Sequence, residues 1–177
     1  LWTSLGQNAE GTSTPLVADN AVYLRLQGKN PDGTDNLDFD VLLDVDKLIT
    51  YMIGILFGGN LDAPISNFLG NDRPNNFYAI RDRTGREGLK FFRNGPWPAG
   101  NQFQHSNPQW FHQRLMTNAE YRMRFADLVQ KHLFNGGALT VAANQTRFLD
   151  EASVLDQAIY AESARWGDAK RPNDPLR

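Results

Sequence analysis

Asp62, Asn75 and Asn76 are the residues whose types and order could do chemistry. They lie in the run GGNLDAPISNFLGNDRPNNFY, after a strongly apolar stretch and before two short strand-like runs. A carboxylate accepts a proton. A carboxamide offers an oxygen to a hard cation and two N–H donors to a hydroxyl or phosphate. Brought together at the end of a helix and beside a hairpin, these groups could hold a proton, a hydroxyl or a metal-bound phosphate. A plainer reading fits the same letters: Gly59-Asn60-Leu61-Asp62 is a helix stop followed by an Asx turn. Spacing alone leaves both open.

Other candidates are less organised. His105, His112 and His132 stand at unrelated spacings on what read as different elements, and a lone helical histidine is more often packed than ligating. His105 is set apart by its Gly/Pro loop and its neighbours Gln102, Gln104 and Ser106. Asp32, Asp35, Asp38 and Asp40 could offer oxygens to calcium, but the order is not that of an EF-hand and suits ordinary turn chemistry. Asp62 and Asp72 could serve as the paired carboxylates of a glycosidase. Arg81, Asp82 and Arg83 read as a solvated turn. Trp97, Trp110 and Trp166 lack the spacing of a stacking platform and read as core and rim aromatics. There is no G-x-S-x-G, P-loop, G-x-G-x-x-G or H-E-x-x-H.

The elements that must position these groups follow from periodicity and punctuation. Residues 1–20 read as a loosely held leading segment. Ala21–Gln27 alternates and predicts a strand. Residues 28–40 are turn material. Asp44 or Asp46 caps a helix over Lys47–Phe57, which Gly58-Gly59 stops. Residues 60–75 form a long loop of the kind that is usually functional or mobile. Phe77–Arg81 and Gly88–Phe92 predict a hairpin about Thr84-Gly85. A second loop covers residues 93–107. Ser106 or Asn107 then caps a helix that opens with Pro108. Thr117-x-x-Glu120 is a capping box for a helix through Phe134, with an apolar stripe of Tyr121, Phe125, Leu128 or Val129, and Leu133. Thr140 opens a last helix with the stripe Phe148, Ala152, Leu155 and Ile159. The tail beyond residue 170 is polar. A small β part followed by a mainly helical half makes the fold class α+β.

Composition narrows the function classes. The chain has 177 residues, 41% hydrophobic and 21% charged, which is globular rather than disordered. A net charge of −2 provides no broad basic field for nucleic acid. Cysteine is absent, so disulfides and thiolate metal sites are excluded. The apolar run Leu48–Phe57 is too short to span a bilayer. The first residues, Leu1-Trp2, are those expected of a trimmed or excised segment.

Several separate stretches, in one order, resemble the spore coat protein H (CotH) kinase family, especially its large secreted bacterial members. They are YLRLQGKNPDGT, LLDVDKLITYMI, GNLDAPISNF, RPNNFYAIRDR, GLKFF, SNPQWFHQRLM, EYRMRFADLVQKHLFNGGALT and AIYAESARWGD. The likeness covers residues 21–170, with residues 171–177 as a tail. It implies an atypical protein-kinase-like fold, of which this chain would supply mainly the helical C-terminal lobe with a small β-hairpin. It further implies transfer of the ATP γ-phosphoryl to Ser or Thr of a secreted or envelope protein, with Mg²⁺ or Mn²⁺. Carried over by position, Asp62 would be the catalytic aspartate that orients the acceptor hydroxyl. Asn76 would be the metal-binding asparagine, with Asn75 beside it at the cofactor. The expected partner is a protein substrate, with no nucleic acid and no membrane span.

The sequence departs from that family in two places. The family's metal-binding aspartate after the second hairpin strand has no counterpart, since Phe91-Phe92-Arg93 runs into Asn94-Gly95-Pro96-Trp97. No glycine loop or phosphate-pairing lysine precedes Ala21. Kinase chemistry uses both. The alternative is therefore a pseudokinase, a non-catalytic binding or structural module of the same fold. A carbohydrate-active hydrolase is a third reading.

Overall fold

The computed structural model describes residues 16–60, 62–65, 76–93 and 107–170. They form a 3-10 turn (Leu16–Ala18), five helices and one two-stranded antiparallel sheet. The helices are α1 (Asn20–Leu26), α2 (Val45–Phe57), α3 (Pro108–Leu115), α4 (Ala119–Leu133) and α5 (Val141–Lys170). The strands are β1 (Phe77–Ile80) and β2 (Lys90–Arg93). The class is α+β. The chain divides into two units, Leu1–Leu128 and Val129–Arg177.

The first unit is built on α2. Asp44 accepts a hydrogen bond from the Lys47 backbone N–H at 2.9 Å and so caps the helix two residues before its expected start. Val45, Leu48, Ile49, Met52, Ile53 and Ile55 are buried, the spacing of one helix face. Gly59, at φ 55°, ends the helix where the sequence places the stop.

The hairpin rests on this helix. Phe77 pairs with Arg93 and Ile80 with Lys90. An isolated two-stranded sheet is marginal in water, so its support comes from Phe91. That ring is buried and lies 6.4 Å from Tyr51 of α2, 6.3 Å from Phe77 of β1 and 5.3 Å from Phe111 of α3, centroid to centroid. The loop before β2 is tied to the approach to α2. Leu43 and Leu89 form a parallel bridge, in which Leu89 N donates to Leu42 O and Asp44 N donates to Leu89 O, both at 3.2 Å.

Where a strand is expected over Ala21–Gln27, the chain forms the helix α1, Asn20–Leu26. The apolar letters at 22, 24 and 26 alternate, but the buried pair is Tyr23 and Leu26, three apart on one helix face. The Asp19 side chain accepts from Ala21 N and caps this helix, and Tyr23 meets Tyr121 of α4 edge-on at 6.4 Å. The leading segment is also more ordered than expected from Leu16 onward, since Val17 is fully buried.

Of the two expected caps Asn107 is the cap of α3, and its Oδ1 accepts from Trp110 N at 2.9 Å. Pro108 opens that helix as its sequence predicts. The cap of α4 is Asn118 rather than Thr117. The Thr117 hydroxyl donates to Arg114 O and so closes α3, which leaves Asn118 Oδ1 to accept from Tyr121 N at 3.0 Å. Asn118 is buried, and its Nδ2 donates to Val17 O at 3.1 Å. One side chain thus joins the start of α4 to the 3-10 turn.

In the second unit, Gly136 at φ 79° follows the end of α4, and the Thr140 hydroxyl accepts from Ala143 N at the start of α5. The apolar stripe of α5 is not buried. Phe148 is 72% exposed, Leu155 61% and Ile159 58%. Among the described residues no helix is long and apolar enough to cross a membrane.

Candidate functional site

The structure brings Asp62 and Asn76 into direct contact across fourteen positions of chain. Asn76 Nδ2 donates to the Asp62 backbone oxygen at 2.7 Å and to its carboxylate Oδ2 at 2.5 Å. Both residues are part-buried. The local causes are visible at each end. After Gly59, the Asn60 side chain accepts from Asp62 N at 2.9 Å, an Asx turn directly after the end of α2. Asn76 sits at φ 54°, immediately before β1, a left-handed conformation that asparagine tolerates better than most residues. The turn expected at Gly59–Asp62 and the chemistry-bearing cluster are therefore the same structure, not rivals.

The chemistry open to the pair follows from how the carboxamide is spent. Its N–H₂ end is anchored on Asp62, which leaves Oδ1 as the end that can accept a hydrogen bond or ligate a cation. The Asp62 carboxylate adds hard oxygens beside it. Carboxylate plus carboxamide oxygen is the donor chemistry that suits Mg²⁺ or Mn²⁺ rather than a soft metal. Among the described residues no group of three or more His, Cys, Asp or Glu side chains converges as a metal cage. The pair would supply at most two protein ligands.

Asn75, Asp72, His105 and Trp97 lie outside the described residues. Of the early-loop aspartates, Asp32, Asp35 and Asp40 have side-chain partners. Asp32 accepts from Thr34, and hydrogen bonding holds its carboxyl below the usual range. Asp35 pairs with Lys29 at 2.8 Å, and Asp40 with Arg81 at 3.1 Å. Arg81 therefore ties the hairpin turn to this loop, where a solvated turn is expected. His132 gives its backbone oxygen to Leu139 N at the end of α4.

His112, whose spacing to the other histidines carries no signal, has specific surroundings. Its Nδ1 lies 2.8 Å from the hydroxyl of Tyr121, a fully buried residue, and its ring lies 5.1 Å from Phe125. Burial pushes the His112 pKa down and the Tyr121 pKa up. The i, i+9 separation, across a helix end and into the next helix, has no short-range sequence signature.

Compared with family models, with curated proteins and with solved structures, the chain matches none.

Proposed function

We propose that this chain is a CotH-type, kinase-like domain of a secreted or envelope bacterial protein, with Asp62 and Asn76 at its phosphoryl-transfer end. The supporting observation is the double hydrogen bond from the Asn76 carboxamide to the backbone and carboxylate oxygens of Asp62. In this reading Asp62 accepts and orients the Ser or Thr hydroxyl of a protein substrate. Asn76, held by its N–H₂ end, would offer its oxygen to Mg²⁺ or Mn²⁺, and Asn75 would contribute to holding the nucleotide. A divalent cation on ATP would supply the charge neutralisation that phosphoryl transfer requires. The kinase-like fold belongs to the same proposal.

The test is calorimetric titration of Mg²⁺-ATP and Mn²⁺-ATP into the chain, with Asn76→Ala as control, followed by a phosphate-transfer assay with Asp62→Ala. Metal-dependent binding that Asn76→Ala abolishes supports the reading. Absence of binding to the folded chain, or transfer that Asp62→Ala leaves unchanged, overturns it.

A second reading, the non-catalytic module of the same fold, draws on α5. Phe148, Leu155 and Ile159 present a row of exposed apolar side chains, as a binding surface would. Phosphorylation of a partner by the chain would exclude this reading.

A further inference from the structure

A cavity of about 570 Å³ opens between the end of α2 and α3, beside the Asp62 turn but not including it. Its described lining is apolar on the α2 and turn side, with Met52, Ile55, Leu56, Ala63 and Ile65, and polar elsewhere, with Asn60, Gln109, His112 and Gln113. None of these side chains is a carboxylate, an ammonium or a guanidinium. The size and the few polar groups are those of small-molecule sites.

The hydrogen-bond inventory says what the polar side can offer. Tyr121 is fully buried and its hydroxyl lies 2.8 Å from His112 Nδ1; taking the hydroxyl as donor, which leaves no buried O–H unmet, makes Nδ1 the acceptor. The imidazole therefore carries its proton on Nε2, as a neutral donor. Asn60 Oδ1 is likewise spent, accepting from Asp62 N at 2.9 Å, so Asn60 has its N–H₂ left to give. Two of the polar lining residues thus bring donors. Among the described lining residues an anion would find those donors but no cation to offset the cost of its burial.

We propose that this cavity binds a neutral small molecule with an apolar body and a carbonyl-type acceptor at one end. The acceptor takes its hydrogen bond from His112 Nε2–H. The apolar body lies against Met52, Ile55 and Ile65. The site shares no side chain with the Asp62–Asn76 pair and stands or falls apart from it.

The test is fluorine NMR of the intact chain with two neutral probes, 4-fluorobenzamide and 4-fluoroacetanilide, and the anionic 4-fluorobenzoate. The neutral amides are expected to broaden and shift on binding, at least about tenfold tighter than the benzoate. His112→Phe keeps the ring and removes the donor, and should weaken amide binding about tenfold. Should that variant fail to fold, Leu56→Lys gives the same test from an exposed rim position, by setting a cation where the apolar body enters. No binding by either amide, equal binding of the benzoate, or amide binding that the folded variants leave unchanged would overturn the proposal.

Discussion

Asn76 holds Asp62 by two oxygens at once, backbone at 2.7 Å and carboxylate at 2.5 Å, from a backbone conformation of φ 54°. The two contributions separate by mutation. Asn76→Gly loses the hydrogen bonds but keeps the left-handed conformation at no steric cost. Asn76→Ala loses the bonds and adds strain. Asn76→Ala is expected to be less stable than Asn76→Gly by about 1 kcal/mol in urea unfolding. Equal stabilities would mean that the backbone relaxes and that the conformation is not imposed.

Asn118 does two tasks from one buried position, capping α4 through Tyr121 N and donating to Val17 O. Asn118→Ala is expected to cost about 2–3 kcal/mol, the sum of a lost cap and an orphaned buried carbonyl. Asn118→Ser should recover about 1 kcal/mol of this by restoring the cap alone. Chemical denaturation midpoints at constant slope would measure both.

Gly88 is held by closeness rather than by dihedral freedom. A Cβ there would run into the backbone of Leu43 and Asp44. Gly88→Ala is therefore expected to destabilise by about 2 kcal/mol or more, since the approach to α2 must shift. Gly33, at φ 87° with open space around it, provides the contrast. Gly33→Ala should cost only about 1 kcal/mol. Thermal melts of the two variants should rank them in that order.

His112 makes stability depend on pH. Burial depresses its folded-state pKa below the ordinary 6.5, so the unfolded chain binds the proton more readily. Stability should be intact above that ordinary value and fall as pH drops through it toward the folded pKa. His112→Gln should flatten the slope of unfolding free energy against pH in that window. An unchanged slope would assign the dependence to other groups.

The exposed row on α5 should be indifferent to polarity within the chain itself. Leu155→Glu and Ile159→Glu, at positions 61% and 58% exposed, are each expected to change unfolding free energy by no more than about 0.5 kcal/mol. A larger loss would mean that the helix is covered in solution.

What the sequence made legible was what short-range chemistry decides. Asp44, the apolar face of α2 and Gly58-Gly59 carry a complete start, body and stop, and that helix ends where it was expected and starts two residues earlier. Pro108 and Thr140 likewise mark true helix starts. The failures came where a competing partner lay elsewhere. Ala21–Gln27 alternates as well as it spirals, and only Asp19 as a cap and Tyr121 as a neighbour decide for the helix. Thr117 fits a capping box, but its hydroxyl is drawn back to Arg114 O. The Asp62–Asn76 contact was suggested by residue type and order, whereas its double hydrogen bond depends on the αL turn at Asn76. The His112–Tyr121 pair needs two helices to meet before it exists.

Strand β1 begins at the residue after Asn76, and among the described residues its sheet has a single other strand. Local opening of the hairpin is therefore expected to loosen the left-handed turn at Asn76 and, with it, the hold on Asp62. The packing of Phe91 against Tyr51 and Phe111 should contribute to the free energy of that small local opening, and so to the fraction of time for which the pair is assembled. Amide exchange at Tyr78 and Phe92 would read that fraction directly, and a loosened Phe91 would dim the site without touching a residue in it.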